Sequence, residues 1–580
     1  MNTEWALEPI YKGIDSSDYQ ADMKALEELV AAYGKAVGEA KDPDAAAEKL
    51  LLLEEEMTFK MYKLDLYLSL RQSVNTEDGD AIAQENKLMK IWSTAAPYQA
   101  AAEKLLSRIA DVDALAKESE IVKAYSFKLK EMKESATHLL GDDVEEMISA
   151  MDMTGGSAWA RLQSFLTSVV KVDYAGKVVT LSEIRNMAYS PDVNVRKAAY
   201  EAEIACYEKI EDSLAFALNN IKNQVTMLST KRGYESPLAM TLKQSRMSRE
   251  TLDAMMDAIK EYLPKFRLYL RKKAQLLGHE NGLPWYELFA PLGKADKKYT
   301  VEEARDYLLE CFEKFTPEMS DMMKEAFDNE WIDFFPRKGK RGGAFCAGVP
   351  GMNQSRILTN YDGYFGDIST LAHELGHAFH NKQTENNRFL NQDYPMPVAE
   401  TASTFNETHL GHSALANATG EERLNLLEND LMEKTQCIVD IYSRYLFETA
   451  VFEQSQEKFL MAADLKEIML NAQKEAYGDG LDENCMHPYM WACKGHYYSS
   501  GLSFYNFPYA FGNLFAVGLY TMFLKEGESF VGKYKEMLKN TPCCTIEQAG
   551  AMMGVDLTKK DFWMESLSTI AETIEAFCQM

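Results

Sequence analysis

The sequence lacks most of the features that mark a secreted, membrane-bound or nucleic-acid-binding protein. Its nine cysteines are scattered, with no Cys-x-x-Cys pair, so neither a disulfide framework nor a cysteine metal site is expected. Reduced thiols suit a cytoplasmic location. Basic charge is short. The chain has 62 Lys and Arg against 89 Asp and Glu, a net charge of −27. An acidic surface repels a phosphate backbone, so nucleic acid is not an expected partner. No uninterrupted apolar run approaches the ~20 residues that span a bilayer, so no membrane partner is expected either. The first residues also lack the basic-then-apolar pattern of a secretory signal. Proline is sparse, 16 in 580 residues, which suits long unbroken helices.

What is present fits a large globular protein. Hydrophobic residues make up 46% and charged residues 26%, enough apolar side chain for a sizeable core. Runs such as Ala45–Leu70 and Val195–Leu228 repeat apolar residues every three or four positions, the period of an amphipathic helix. Two segments break this pattern. Val169–Val179 holds two β-branched runs around Ala175-Gly176 and predicts a hairpin. Ser190-Pro191-Asp192 then opens a new helix with Pro191 at its first position. The second break holds strand candidates Gly343–Gly348 and Arg356–Tyr361, a small sheet ahead of a helix. The basic cluster Arg337–Arg341 is either a solvated turn or a positive patch near a cleft.

That helix carries the chemistry. Asp367 is its candidate N-cap. His373 and His377 lie four apart, on one face and about 6 Å apart along the axis. Both imidazoles can reach one zinc. Glu374 is rotated about 100° from His373, beside the metal, where a base for water activation belongs. Three of the nine histidines fall within eight positions, which weighs against chance. His380 is too far along the axis from His373 to complete the set. Gln383 stands where a metzincin needs histidine, so that class is excluded.

A catalytic zinc needs a third protein ligand and an open position. Val398–Leu410 predicts a second helix with Glu400 and Glu407 on one face. Two inward carboxylates repel unless a cation or proton lies between them. Glu400 as ligand, with Glu407 accepting from the outer N–H of a ligand histidine, accounts for the pair. Glu385 is a weaker candidate.

The run Gly366–His380, the run Met396–Glu407 and Arg341–Cys346 together resemble the oligoendopeptidase F branch of the thimet oligopeptidase family, from about residue 110 to the C-terminus. The resemblance implies a mainly α fold, a helical ellipsoid with a deep substrate channel and a small sheet beside the zinc helix. It implies three regions: 1–110 helical, 111–190 of the oligoendopeptidase F N-terminal type, and 191–580 catalytic. It implies one zinc on His373, His377 and Glu400, with Glu374 as base. It also implies a late segment, Gly495–Tyr509, that closes on substrate and supplies His496 with Tyr505 or Tyr509 to the oxyanion. Gly512 stands where one branch of the family has a further tyrosine, so the choice between the two phenols stays open. From the residues alone, Tyr497, Tyr498, Tyr505 and Tyr509 with nearby glycines fit core packing or a flexible closing loop.

The expected reaction is hydrolysis of short unfolded peptides inside the chain. The strand near Ala344–Ala347 is a candidate for pairing with an extended substrate. The alternatives are a metallo-carboxypeptidase or dipeptidyl carboxypeptidase on the same site, a zinc-binding scaffold without turnover, and a metal-free helical scaffold.

Overall fold

Asp42 and Pro43 show why the N-terminal helices start where they do. The Asp42 carboxylate accepts from the Asp44 N–H at 3.1 Å, and Pro43 presets the first helical φ. The helix that follows, Pro43–Val74, contains the whole Ala45–Leu70 run. Helices Ser17–Glu39 and Gly79–Leu106 pack on it. The computed structural model describes residues 2–293 and 297–580. Within them the fold is mainly helical, with one two-stranded and one three-stranded sheet.

Two hydrophobic cores divide the described residues. One is built from Trp5 to Leu129 with Val349 and Leu358, and the larger spans Val172 to Phe577. The Val195–Leu228 run splits into two helices, Val193–Tyr207 and Glu211–Lys231. Both turn apolar faces to the same core, so the periodicity carries across the turn that separates them. Asp192 caps the first of these, accepting from Asn194 N–H at 2.8 Å, and Pro191 stays outside the helix.

The hairpin forms from β1 (Lys171–Tyr174) and β2 (Lys177–Thr180). Ala175 and Gly176 both take positive φ, 49° and 75°, as a tight two-residue turn requires. Val169 belongs to the preceding helix, Gly156–Val169, so the strand starts two residues later than expected.

The second sheet holds β3 (Ile332–Asp333), β4 (Phe345–Val349) and β5 (Gln354–Leu358), with β5 central, parallel to β3 and antiparallel to β4. The expected strands are thus each shifted by two residues at their starts, and β5 stops at Leu358. Beyond it Thr359 and Tyr361 still donate to Asp333 and Phe334, while on the β4 side the Asn360 side chain takes over, donating to the Arg341 and Gly343 carbonyls at 3.0 and 2.8 Å. Two residues of β3 are too few to show a period. Ile357 faces the larger core and Leu358 the N-terminal core, because successive strand residues point to opposite faces. The sheet is the seam between the two cores.

The basic cluster is a solvated turn, with Arg337, Lys338 and Arg341 exposed, and two of its cations have a further role. Arg337 forks both oxygens of Asp333 at 2.7 and 2.8 Å, and Lys340 reaches the same carboxylate at 2.6 Å. Asp333 is fully buried, so these cations compensate a carboxylate that burial would otherwise strongly destabilise.

Helix Phe507–Glu526 is long and apolar enough to cross a membrane by length and composition, yet 72% of its most apolar stretch is buried inside the protein. Gly518 lets it approach helix Lys560–Cys578, since a Cβ there would lie 2.4 Å from Phe562 and Ser566 atoms.

Candidate metal centre

The helix of the His-Glu-x-x-His run spans Phe365–Thr384. Its cap is Tyr364, not Asp367. Asp367 is the third helical residue, and its carboxylate folds back to accept from the N–H groups of Tyr364 and Asp362 at 2.9 and 3.1 Å. Those donors belong to the cap and to the turn before it, so the carboxylate ties the helix start to the chain that leads into it. Asn381, near the far end, reaches Cys346 Sγ of β4 at 3.9 Å, so the strand lies along the helix.

The helix is crossed by Thr401–Asn417. Gly376 makes this possible, because a Cβ at that position would lie 2.6 Å from the Ala402 carbonyl oxygen and from Ser403 Cα. Asn406 fastens the crossing by donating to the Ala372 carbonyl at 3.0 Å. The expected helix Val398–Leu410 is broken at Glu400, which sits between Met396–Ala399 and Thr401–Asn417 with φ −92° and ψ 6°. Ser403 Oγ donates to the Glu400 carboxylate at 2.9 Å. The break frees this carboxylate from the helical repeat.

Glu400 Oε2 lies 3.2 Å from His373 Nε2 and 3.3 Å from His377 Nε2. One ligand atom from each residue falls within 4.8 Å of the others, a set able to hold a metal ion. On the other side of the ring, His373 Nδ1 lies 3.3 Å from Glu407 Oε1, close but without the alignment of a formed hydrogen bond. His373 is thus held between two carboxylates. Burial works against its charged form, yet Glu400 and Glu407 raise its pKa to about 10. Burial pushes the Glu400 carboxyl up, but His373 and His377 outweigh it and hold it far below the usual range. The cluster favours a positive charge at its centre.

Glu374 is only 5% exposed. Burial raises its carboxyl above the usual range, against the pull of His373 and His377. Burial, then the Glu374 charge, also raises the thiol of Cys346 on β4. β4 is an edge strand.

His380, too far along the helix to be a ligand, and Glu385, the weaker candidate, both serve elsewhere. His380 is fully buried, stacks on Tyr394 at 3.9 Å and pairs with Thr541 Oγ1 at 2.8 Å. Glu385 accepts from the Asn353 N–H at 2.6 Å.

The late segment divides by burial. Tyr497 and Tyr498 are 0% and 2% exposed and belong to the core, so they form no part of a flexible substrate-gripping stretch. His496, Tyr505 and Tyr509 stay accessible. The His496 ring stacks on Tyr505 at 4.5 Å, and Tyr505 lies 5.9 Å from Tyr509. Tyr509 begins the helix that docks on Glu400, for a Cβ on Gly512, one turn later, would lie 3.3 Å from Glu400 Cβ. Burial, then Tyr505 and the Glu400 charge, raise the Tyr509 phenol above its usual value. Burial and the Arg444 charge lower His496. The structure therefore brings His496, Tyr505 and Tyr509 together, with Tyr509 on the helix that docks on Glu400.

Three contributors carried weak signals or none in the sequence. Gly376 interrupts a helical pattern at a propensity loss of about 1 kcal/mol, which is itself a mark of close approach. Phe504 takes φ 53°, strained for a bulky residue, directly before Tyr505. A π-helical turn, Gln436–Asp440, joins helices Gly420–Thr435 and Ile441–Gln454. Two cavities adjoin the site. One of about 380 Å³ is lined by Ser369, Thr370 and Glu407, and one of about 450 Å³ by His496 and Tyr509.

Residues 186–569 match the model of peptidase family M3. The chain belongs to peptidase family M3. Residues 103–171 of this M3 peptidase match the Oligopeptidase F family model. The chain is 26% identical over 592 aligned residues to oligopeptidase PepF of Bacillus subtilis, covering 99% of this chain and 85% of that protein. It is 25% identical to an oligoendopeptidase F homolog of Lactococcus lactis, covering 96% and 94%. In fold it is similar to a peptidase structure from Chlamydophila abortus, with a TM-score of 0.86 at 20% identity over 100% of this chain and 98% of the other. The structure of oligoendopeptidase-F from Enterococcus faecium gives 0.69 at 18% identity over 97% and 98%. The M3 peptidase is thus a metallo-oligopeptidase acting on peptides, with the mainly α fold that the sequence led us to expect.

Proposed function

We propose that this M3 peptidase is a zinc-dependent endopeptidase that cuts short unfolded peptides, with one zinc held by His373, His377 and Glu400. The observation that carries this is the convergence of the three ligand atoms within 4.8 Å. Two imidazoles and one carboxylate are a donor set of catalytic zinc, which keeps a further position open. Glu407 faces the outer nitrogen of His373, the usual place for a group that orients a ligand histidine. When bound, the zinc supplies Lewis acidity toward water and the scissile carbonyl.

The remaining steps belong to the chain. Glu374 takes a proton from the attacking water and delivers it to the leaving amine. Burial raises its carboxyl above the usual range, the direction that suits a group which takes up a proton and returns it. His496 and Tyr509 donate to the oxygen of the tetrahedral species, with Tyr505 stacked on His496 to hold its ring. The free edge of β4 pairs with the substrate backbone next to Glu374. Cleavage within the chain, rather than dipeptide release, is supported by the oligoendopeptidase names of the relatives.

The test is hydrolysis of an internally quenched peptide by the wild type and Glu374→Gln. The variant is expected to keep one zinc per chain by metal analysis and to lose about 10²–10⁴-fold in kcat. A fully active variant sinks the mechanism, and a wild type that binds no zinc sinks the metal assignment.

A further inference from the structure

The cavity of about 450 Å³ beside His496 and Tyr509 has the opposite charge character to the protein around it. Its walls carry Arg185, Arg196, Arg444 and Lys494 but only one carboxylate, Glu203, in a chain of net charge −27. Three of these cations are already matched. Arg196 donates to the buried Glu287 from Nε at 2.8 Å and Nη2 at 2.5 Å. Arg444 pairs with Asp440. Arg185 lies 3.8 Å from Glu203, which also faces His487 at 3.4 Å.

Lys494 is the exception. Among the described residues its ammonium makes no hydrogen bond or ion pair of the kind that holds the other three. It is half-buried. Burial, reinforced by the like charges of Arg444 and Arg185, pulls its pKa below the ordinary lysine value. A lysine partly withdrawn from water and crowded by other cations favours an anion beside it. The π-helical turn Gln436–Asp440 is a second sign. It brings Gln436 and Cys437 to the same wall, and such turns are frequent at functional sites because they add a residue to a helix at a loss of regular hydrogen bonding. Tyr189 and Phe289 supply an apolar flank, as a pocket for a peptide side chain or terminus would need.

We infer that this cavity is a subsite for a peptide carboxylate, bound by Lys494 with Arg444 behind it, on the His496 and Tyr509 side of the cleaved bond. This rests on the peptidase reading above and names the substrates it favours. The carboxylate has two sources, the C-terminus of a short peptide or an Asp or Glu side chain near the cut.

Two pairs of quenched peptides separate them. The first pair differs only in a free or amidated C-terminus, and the second, amidated throughout, only in Glu or Gln beyond the cleaved bond. In the wild type at least one pair is expected to show about a tenfold kcat/KM preference for the carboxylate, the scale of one charge-assisted hydrogen bond. Lys494→Met is expected to bring that ratio close to one, and Lys494→Arg to keep most of it. The pair that responds identifies the source. The same ratios are expected in Kd for fluorescent versions of the peptides on zinc-loaded Glu374→Gln, where turnover plays no part. Cleavage with flat ratios in the wild type, or ratios unchanged in Lys494→Met, overturns this inference alone. No cleavage of any peptide overturns the peptidase reading and this inference with it.

Discussion

Gly376 lies so close to Ala402 that a Cβ on it would sit 2.6 Å from the Ala402 carbonyl oxygen. This contact sets the crossing that carries Glu400 to the two histidines. Gly376→Ala is therefore expected to push the helices apart by a few tenths of an ångström or more. Overpacking of this kind destabilises by about 1–3 kcal/mol. The sharper readout is metal affinity, measured by competition with a chromophoric chelator, which should weaken at least about tenfold as the ligand geometry opens. Unchanged affinity would show that the crossing does not set the ligand positions.

Glu407 Oε1 stands 3.3 Å from His373 Nδ1 and is not among the three converging ligand atoms. Glu407→Gln keeps the shape and removes the charge. Zinc affinity is expected to fall about 10–100-fold, the range seen when a group orienting a ligand histidine is lost. Loss of all zinc under saturating conditions would instead make Glu407 a ligand.

The two accessible phenols are not equivalent. Tyr509 is on the helix that docks on Glu400, whereas Tyr505 stacks on His496. Tyr509→Phe is expected to lower kcat by about 10²–10³ with little change in KM, as loss of an oxyanion donor does. Tyr505→Phe keeps the ring and its stacking and should lose about tenfold or less. The reverse order in steady-state kinetics would exchange their roles.

His380 makes stability depend on pH. It is fully buried, and burial, with His377 adding to it, pushes its pKa from 6.5 down to about 3. The folded protein thus resists a proton that the unfolded chain accepts. The stability tied to neutral His380 is complete above pH 6.5 and is lost as pH falls toward about 3, at about 1.4 kcal/mol per pH unit in between. His409, buried with its pKa lowered by burial, acts in the same direction. In chelator-treated protein, Tm is expected to fall from about pH 7 to about pH 5 less steeply in His380→Gln than in the wild type. Equal slopes would remove His380 from the acid transition.

Local rules reached far into this protein. The three-and-four spacing marked the long helices, and Ala175-Gly176 marked the hairpin turn. Spacing also set His373 and His377 on one face with Glu374 beside them, because a helix repeats every 3.6 residues whatever surrounds it. The local rules failed where a neighbour in space overrode the pattern. Val398–Leu410 reads as one helix, yet it breaks at Glu400 where the crossing at Gly376 holds it. Arg337–Arg341 reads as a surface cluster and mostly is one, but Arg337 and Lys340 also compensate Asp333, from a strand too short to show a period. Tyr497 and Tyr498 read like Tyr505 and Tyr509, and only packing separates the core pair from the accessible pair.

The sequence by itself determined the helix that sets His373 and His377 on one face with Glu374 beside them, since these depend on one continuous backbone repeat. The mainly α class followed from the same periodicity. Tertiary structure decided the rest. It brought Glu400 within reach of both histidines, put His373 between two carboxylates, and drew His496, Tyr505 and Tyr509 together at the end of the helix that docks on Glu400. It also left Lys494 among cations without a carboxylate of its own. Such relations come from how helices cross and what they bury, and no spacing along the chain encodes a distance between residues so far apart in it.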